Sequence, residues 1–186
     1  MTKDWLIRLS GTGGQGIVTA AVILAEAALI DGNNATQTQV YGPESRGSST
    51  RAEVIISDKK IYYHKVETPN LLLIISQEAY RKYEENISPG GIMILDSNIG
   101  VGDKHKGIEV YRAPITLIAR DQVGNALCAN AVALGVLNAV AKCCSDEAFE
   151  ESLRRNFKPF IVDVNVRAFK AGLQAEITKD APGKKR

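Results

Sequence analysis

The sequence predicts a single α/β domain of three layers, α/β/α, in which a mixed, mostly parallel sheet is followed by a helical C-terminal third. Three observations lead to this prediction. The chain has 186 residues, within the roughly 100–200 residues of one domain. Hydrophobic residues make up 45% and charged residues 24%, which is typical of a globular chain with its own core. Strand-length apolar runs alternate with helix-length runs before the helical end.

The first elements are a strand, a buried helix and a second strand. Trp5–Leu9 is predicted as a short strand, and the Ala-rich run from Gly16 to Ile30 is too long for a strand. Because that run is apolar on nearly every side, we expect a helix that is buried on most faces. Gly32 follows it where a glycine commonly ends a helix. The second strand is predicted over 34–41.

A β-hairpin is predicted next. Residues 51–57 and 61–65 are strand-like and flank the polar triplet Asp58-Lys59-Lys60. A hairpin at this place argues against an all-parallel sheet, and the sheet is therefore expected to be mixed.

The middle of the chain predicts a βαβ unit. Leu71–Ile75 and Ile92–Leu95 are continuous apolar runs, as in strands that are covered on both faces. The polar, helix-compatible segment 77–86 lies between them. Asp96 directly follows the second of these strands, where we expect it to cap the next turn.

The rest of the chain is predicted to be one short strand, at 108–111, and then helices. The helices are expected at 115–123, 126–144, 147–156 and 162–171. The domain is expected to span residues 1–174, and residues 175–186 to form a basic C-terminal tail.

Charge, hydropathy and cysteine content exclude several classes of protein. The net charge of +2 gives no field that would attract nucleic acid or an acidic membrane. No uninterrupted apolar run reaches the ~18 residues of a membrane helix, and no signal-peptide stretch precedes the first strand, so a cytoplasmic protein is expected. Cys128, Cys143 and Cys144 lack the C-x-x-C spacing of zinc or iron–sulfur sites. We therefore predict no metal in this chain.

The first candidate site is the sequence GTGGQG at 11–16, which lies between a strand and an apolar helix. Glycines allow a tight turn and let a phosphate approach the N–H groups at the helix start, where the helix dipole favours an anion. The alternative is that the glycines only permit close packing of strand and helix. The candidate binding residues here are Gly11, Gly13, Gly14, Gln15 and Gly16.

A complete dinucleotide-binding pattern also needs an acidic residue about 20 positions further on, at the end of the second strand. Asp31 stands at that count but precedes the second strand, and the first carboxylate after that strand is Glu44. This mismatch counts against NAD, while a pyrophosphate can bind without the acidic residue.

The second candidate site is the loop YGPESRG at 41–47. If the first two strands are adjacent and parallel, this loop and the glycine loop face one crevice at the carboxyl ends of the strands. Arg46 can pair bidentately with a phosphate or carboxylate, and Tyr41 offers an aromatic face. The alternative is a contact between Glu44 and Arg46 that only stiffens the loop. The candidate binding residues here are Tyr41, Gly42, Glu44 and Arg46.

No catalytic machinery is recognisable in the sequence. There is no credible Ser-His-Asp or Cys-His arrangement and no lysine after the glycine loop as in a P-loop. The residues alone therefore predict a domain that has a binding crevice and that works as part of a larger assembly.

The chain resembles the γ subunit of 2-oxoacid:ferredoxin oxidoreductases over residues 5–174. The pair formed by GTGGQG and the later YGPESRG is the most specific feature. The motifs in order are GTGGQG at 11–16, QTQVYGPESRG at 37–47, VIIS at 54–57, PGG at 89–91, NAVALG at 130–135 and NVRAFKAG at 165–172.

The resemblance implies oxidative decarboxylation of a 2-oxoacid with coenzyme A, giving acyl-CoA, CO2 and reduced ferredoxin. It implies that α, β and δ subunits hold the thiamine diphosphate and iron–sulfur clusters, that the isolated chain is inactive, and that coenzyme A is a shared ligand of the glycines and Arg46. The tract at 36–47 is closer to the 2-oxoglutarate branch, with pyruvate, branched-chain 2-oxoacids and indolepyruvate open. Two other hypotheses remain: a free-standing protein that binds NAD or a flavin, and a purely structural subunit.

Overall fold

The computed structural model describes residues 4–40, 49–102 and 105–180. In these residues, seven strands form one sheet in the order β2-β3-β1-β4-β5-β6-β7. The strands are β1 (Trp5–Thr12), β2 (Asn34–Val40), β3 (Ser49–Ser57), β4 (Leu71–Ile74), β5 (Ile92–Asp96), β6 (Glu109–Ala113) and β7 (Thr178–Lys179). The helices are α1 (Ile17–Ile30), α2 (Gln77–Tyr83), α3 (Ile115–Leu117), α4 (Ala129–Ala141), α5 (Asp146–Asn156) and α6 (Pro159–Leu173).

Most strands of the sheet run in the same direction. β1, β4, β5 and β6 pair in parallel. β3 is antiparallel to both β1 and β2, and β7 is antiparallel to β6. The mixed, mostly parallel sheet predicted from the sequence is confirmed.

The predicted hairpin between 51–57 and 61–65 is wrong. The first segment is β3, which lies between β1 and β2, and the second segment forms no strand. The physical reason is burial. Ala52 and Val54 on β3 are 0% exposed, as expected of a strand inside the sheet with a neighbour on each edge. In the other segment, Tyr62 and Tyr63 are 83% and 60% exposed.

Helices cover both faces of the sheet. On one face, α1, α4, α5 and α6 share a core with the sheet that includes Leu9, Leu24 and Phe169. On the other face, α2 packs Tyr80 against a smaller core that includes Leu72. The α/β/α layers predicted from the sequence are therefore present.

The two helices α4 and α6 approach each other at glycines. A Cβ atom on Gly135 would lie 2.1 Å from the Phe169 carbonyl oxygen, and one on Gly172 would lie 2.1 Å from the Val132 carbonyl oxygen. Only glycine permits this distance. The ring of Phe169 also stacks on Phe149 with 4.9 Å between the ring centroids.

The end of the described chain is attached to the sheet. β7 lies within the segment predicted as a tail, and it pairs with β6 through Arg112 and Tyr111. Arg112 Nε also donates to Asp180 Oδ2 at 3.0 Å. The division into a domain over 1–174 and a tail over 175–186 stays a prediction.

The helix ends follow the sequence signals. α1 ends at Ile30, and Gly32 follows with a φ of 81°. Asp96 Oδ1 accepts a hydrogen bond from the Asn98 N–H at 2.9 Å, which is the turn-capping role expected for it. Within residues 4–40, 49–102 and 105–180, no helix has the length and apolar character needed to span a membrane.

Candidate functional site

The glycine loop lies at the carboxyl end of β1. Gly11 and Thr12 still belong to the strand, and α1 begins at Ile17. Gln15 closes the turn between them. Its Oε1 accepts from the Thr12 N–H at 2.6 Å, and its Nε2 donates to the Ile75 carbonyl at 3.5 Å. The side chain of Gln15 therefore holds the loop against the end of β4.

Two glycines of the loop are required by packing. Gly16 has a φ of 70°, which side chains disfavour, and a Cβ atom there would lie 2.5 Å from Asn130 Nδ2. A Cβ atom on Gly11 would lie 2.6 Å from Gln15 Oε1 and 3.0 Å from Ile17 Cδ1. At Gly11 and Gly16, close packing alone explains the presence of a glycine.

Gly13 and Gly14 have a different environment, because both are exposed. A Cβ atom on Gly13 would have Thr50 Oγ1 at 3.9 Å as its neighbour, and one on Gly14 would have nothing within 4 Å. Packing does not explain the absence of a side chain at Gly13, whereas at Gly14 the left-handed φ of 92° by itself favours glycine. The two residues leave their own backbone, in the turn that leads into α1, accessible to a ligand.

The N-terminus of α1 is suited to an anion. The N-cap of this 14-residue helix is Gly16, and it makes no side-chain capping hydrogen bond. The first N–H groups of a helix have no partner within the helix, and the dipole places partial positive charge there.

The second candidate loop is placed only by its flanks. Tyr41, Gly42, Glu44 and Arg46 lie outside the described residues. On one side of the loop, Val40 pairs with Arg51, and on the other side Ser49 pairs with Thr12. Both flanks therefore lie beside the carboxyl end of β1. The expected route, with β1 and β2 adjacent, is wrong because β3 separates them, but β2 still runs parallel to β1.

Sequence reasoning missed Asn130 as a residue of this edge. Its side chain is 5% exposed, and its Nδ2 donates to the Gly16 carbonyl at 3.4 Å. It thereby connects the start of α4 to the glycine loop. Its place at the start of a long apolar helix was the one signal in the sequence that could have identified it.

Asp31 and Asp96, two of the carboxylates considered from the sequence, have structural partners. Asp31 accepts from the Ser145 N–H at 2.5 Å and from the Ser145 hydroxyl at 2.6 Å, so it joins the end of α1 to the start of α5. Asp96 is 1% exposed and also accepts from the Thr116 N–H at 2.7 Å. Asp31 is therefore occupied away from the glycine loop.

Cys128, Cys144 and His105 lie in environments that disfavour the charged form of the side chain. Cys128 and Cys143 are buried. A hydrogen bond to Cys143, together with burial, raises the pKa of the Cys144 thiol. Burial lowers the pKa of His105, whose Nε2 lies 2.6 Å from the Tyr80 hydroxyl oxygen. Across the described ranges, no group of three or more His, Cys, Asp or Glu side chains is arranged to hold a metal ion.

Fold and site together define the class of the protein. It is an open α/β domain in which the carboxyl ends of the parallel strands, a glycine-rich turn and a buried helix meet at one edge, the place where such folds hold ligands. The structure brings Gly11, Gly13, Gly14, Gln15 and Gly16 together there.

The chain belongs to the pyruvate ferredoxin/flavodoxin oxidoreductase family, whose profile matches residues 6–175. A curated relative, the 2-oxoglutarate synthase subunit KorC of Methanothermobacter marburgensis, is 39% identical over 173 residues, which are 89% of this chain and 93% of the relative. The resemblance stated from the sequence is confirmed, and the chain is part of an oxidoreductase complex.

Solved structures agree with this assignment. The γ subunit of a keto/oxoacid ferredoxin oxidoreductase from Geobacter sulfurreducens has a TM-score of 0.84 and 36% identity, covering 93% of this chain and 96% of that one. The 2-oxoglutarate:ferredoxin oxidoreductase of Magnetococcus marinus, solved with 2-oxoglutarate, coenzyme A and succinyl-CoA bound, has a TM-score of 0.84 at 24% identity. The match covers 94% of this chain and 31% of that larger chain, and it shows a shared fold.

Proposed function

We propose that this chain is the γ subunit of a cytoplasmic, multisubunit 2-oxoacid:ferredoxin oxidoreductase and that its glycine loop lines the coenzyme A side of the active site. The complex cleaves the 2-oxoacid oxidatively, transfers the acyl group to coenzyme A, releases CO2 and passes the electrons to ferredoxin. The α, β and δ subunits supply thiamine diphosphate and the iron–sulfur clusters. This chain binds and positions, and supplies no catalytic side chain.

One observation carries the proposal: the exposed, uncrowded backbone at Gly13 and Gly14, directly before α1. Coenzyme A carries a pyrophosphate, and a glycine turn at a helix N-terminus binds such a group through N–H donors and the helix dipole. Arg46 adds a cation from the neighbouring loop. It can bond a phosphate with two parallel N–H groups.

The proposed substrate is 2-oxoglutarate. The support is twofold: the KorC relative is named a 2-oxoglutarate synthase subunit, and the Magnetococcus marinus enzyme of the same fold was solved with 2-oxoglutarate and coenzyme A. Steady-state rates of the purified complex with 2-oxoglutarate, pyruvate and branched-chain 2-oxoacids test this choice.

The test of the coenzyme A role is Gly13→Val in the assembled complex. Because a side chain at Gly13 has open space, the fold is expected to tolerate it, while the side chain blocks a ligand. We expect the KM for coenzyme A to rise about tenfold, the loss of one charged hydrogen bond, with the KM for the 2-oxoacid unchanged. The matched control is Gly102→Val, since a Cβ atom on Gly102 meets nothing within 4 Å and one on Gly13 has no neighbour closer than 3.9 Å.

A charge reversal, Arg46→Glu, separates this proposal from a purely structural subunit. A coenzyme A contact predicts a higher KM for coenzyme A in the complex. If both Arg46→Glu and Gly13→Val leave the kinetics for coenzyme A unaltered in an intact complex, the loop only packs, and the proposed role is wrong.

A further inference from the structure

We propose that a cavity on the α2 side of the sheet is a second anion site, which binds a phosphate group of a small molecule. The cavity has a volume of about 460 Å³. The residues that line it and enter the argument are Arg8, Arg51, Lys65, Glu67, Lys82 and Tyr83. None belongs to the glycine loop, so the proposal does not depend on a contact with coenzyme A.

One residue that lines the cavity, Arg8, belongs to a buried ion pair. Arg8 on β1 is 2% exposed and Glu53 on β3 is 3% exposed. Arg8 Nε and Nη2 donate to the same Glu53 oxygen, Oε1, at 3.0 and 2.8 Å. The other oxygen, Oε2, accepts from the Val66 N–H at 3.3 Å. Both oxygens of the Glu53 carboxylate therefore accept hydrogen bonds, one from Arg8 and the other from the backbone.

Arg51 makes only a long ion pair with this carboxylate. It lies on β3 beside Glu53, and its Nε is 3.8 Å from Glu53 Oε1, beyond a hydrogen bond. That Nε is buried and has no hydrogen-bond partner in the part of the chain that the structure describes. An uncompensated buried donor is costly, and an anion in the cavity satisfies it.

The surrounding charges favour an anion with more than one negative charge. The guanidinium of Arg51 and the ammonium of Lys82 each lie 5.8 Å from the centroid of the ring of Tyr83, which also lines the cavity. Lys65 also lines the cavity. With Arg8 paired to Glu53, the other charged side chains of the lining are three cations, Arg51, Lys65 and Lys82, and one carboxylate, Glu67. Glu67 accepts from the Tyr63 hydroxyl at 3.0 Å. A phosphate ligand has oxygens that point in several directions. It can therefore contact one arginine and two lysines together better than a ligand with a single carboxylate can.

The test is isothermal titration of the full-length chain with inorganic pyrophosphate at low ionic strength. It is carried out in the Gly13→Val background, so that the glycine loop does not contribute a second anion site. The variants are Arg51→Gln and Lys82→Gln. Lys106→Gln, beside a separate cavity near His105, is the matched control. Lys82 is exposed, so its variant keeps the test valid if Arg51→Gln fails to fold.

We expect pyrophosphate to bind, and each cavity variant to weaken binding about tenfold, the loss of one charged contact, while Lys106→Gln leaves the affinity unchanged. Titration with adenosine 3′,5′-bisphosphate then shows which molecule carries the phosphate group. Binding that is tighter than that of pyrophosphate, and that is lost in the same variants, indicates a nucleotide. Weaker binding indicates free phosphate. Absence of pyrophosphate binding, or equal affinity in all variants, overturns the proposal.

Discussion

At the scale of single residues, the glycines of one loop have different roles. Gly11 and Gly16 are enclosed by Gln15, Ile17 and Asn130, whereas Gly13 faces open space. A repeated residue type in a sequence pattern therefore does not imply a repeated function. The packed glycines set the shape of the turn, and the open ones define where a ligand can approach.

Gly16→Ala is expected to destabilise the chain. The substitution combines a left-handed φ of 70° with a Cβ atom 2.5 Å from the Asn130 amide, and we expect the free energy of unfolding to fall by about 1–3 kcal/mol. Urea denaturation measures it. Gly13→Ala, at which a Cβ atom has no closer neighbour than 3.9 Å, is the control. Equal effects of the two substitutions would contradict the division of roles.

Because His105 is partly buried, we expect the free energy of unfolding to depend on pH. Burial lowers its pKa in the folded state below the ordinary value of 6.5, so between those two values the unfolded chain binds more protons. Stability from this group is then fully present above the ordinary histidine pKa and is lost as the pH falls through 6.5 toward the lower folded value.

The measurement is urea unfolding from about pH 7.5 to about pH 5, a range that brackets the ordinary histidine pKa. His105→Asn should flatten the decline in stability, and His64→Asn, at an exposed position, should not. A wild-type slope that survives in His105→Asn would assign the effect to other groups.

At the scale of elements, the crossing of α4 and α6 organises the C-terminal third. The two helices meet through Gly135 and Gly172, each with a carbonyl oxygen 2.1 Å from where a Cβ atom would lie. The same contact brings Phe169 onto Phe149 of α5. Because backbone meets backbone at this crossing, no side-chain rotation can relieve a larger residue.

Gly135→Ala is therefore expected to force α4 and α6 apart and to lower the free energy of unfolding by about 1–3 kcal/mol, the usual cost of overpacking. Thermal or urea unfolding of the chain measures the change. Gly102→Ala, which adds a methyl group in open space, controls for the general effect of the substitution. A Gly135→Ala chain as stable as this control would show that the helices cross elsewhere.

At the scale of the whole molecule, local patterns predicted most of the elements but not all of their partners. The continuous apolar runs at 71–75 and 92–95 specified β4 and β5, since their composition alone requires cover on both faces. The neighbour of β3 was not predictable in this way. Its pairing with β1 and β2 depends on long-range burial, while a short polar triplet after it favoured a local hairpin.

The same limit applies to the sites. The glycine loop was predictable because its function depends on contiguous residues between a strand and a helix. Asn130 and the pair Arg8–Glu53 were not, because their partners are 114 and 45 positions away in sequence. The anion cavity is likewise assembled from β1, β3 and α2, and only the folded chain brings these residues together.

The most direct test of the central claim, that this chain works as a subunit of a 2-oxoacid:ferredoxin oxidoreductase, is co-purification. The chain is tagged in its own cell and isolated gently without oxygen, and the bound polypeptides are identified. We predict two or three partners with thiamine diphosphate and iron–sulfur signatures, and coenzyme A-dependent oxidation of a 2-oxoacid by the isolated assembly. Recovery of the chain alone, as a folded protein without such partners, would contradict the account.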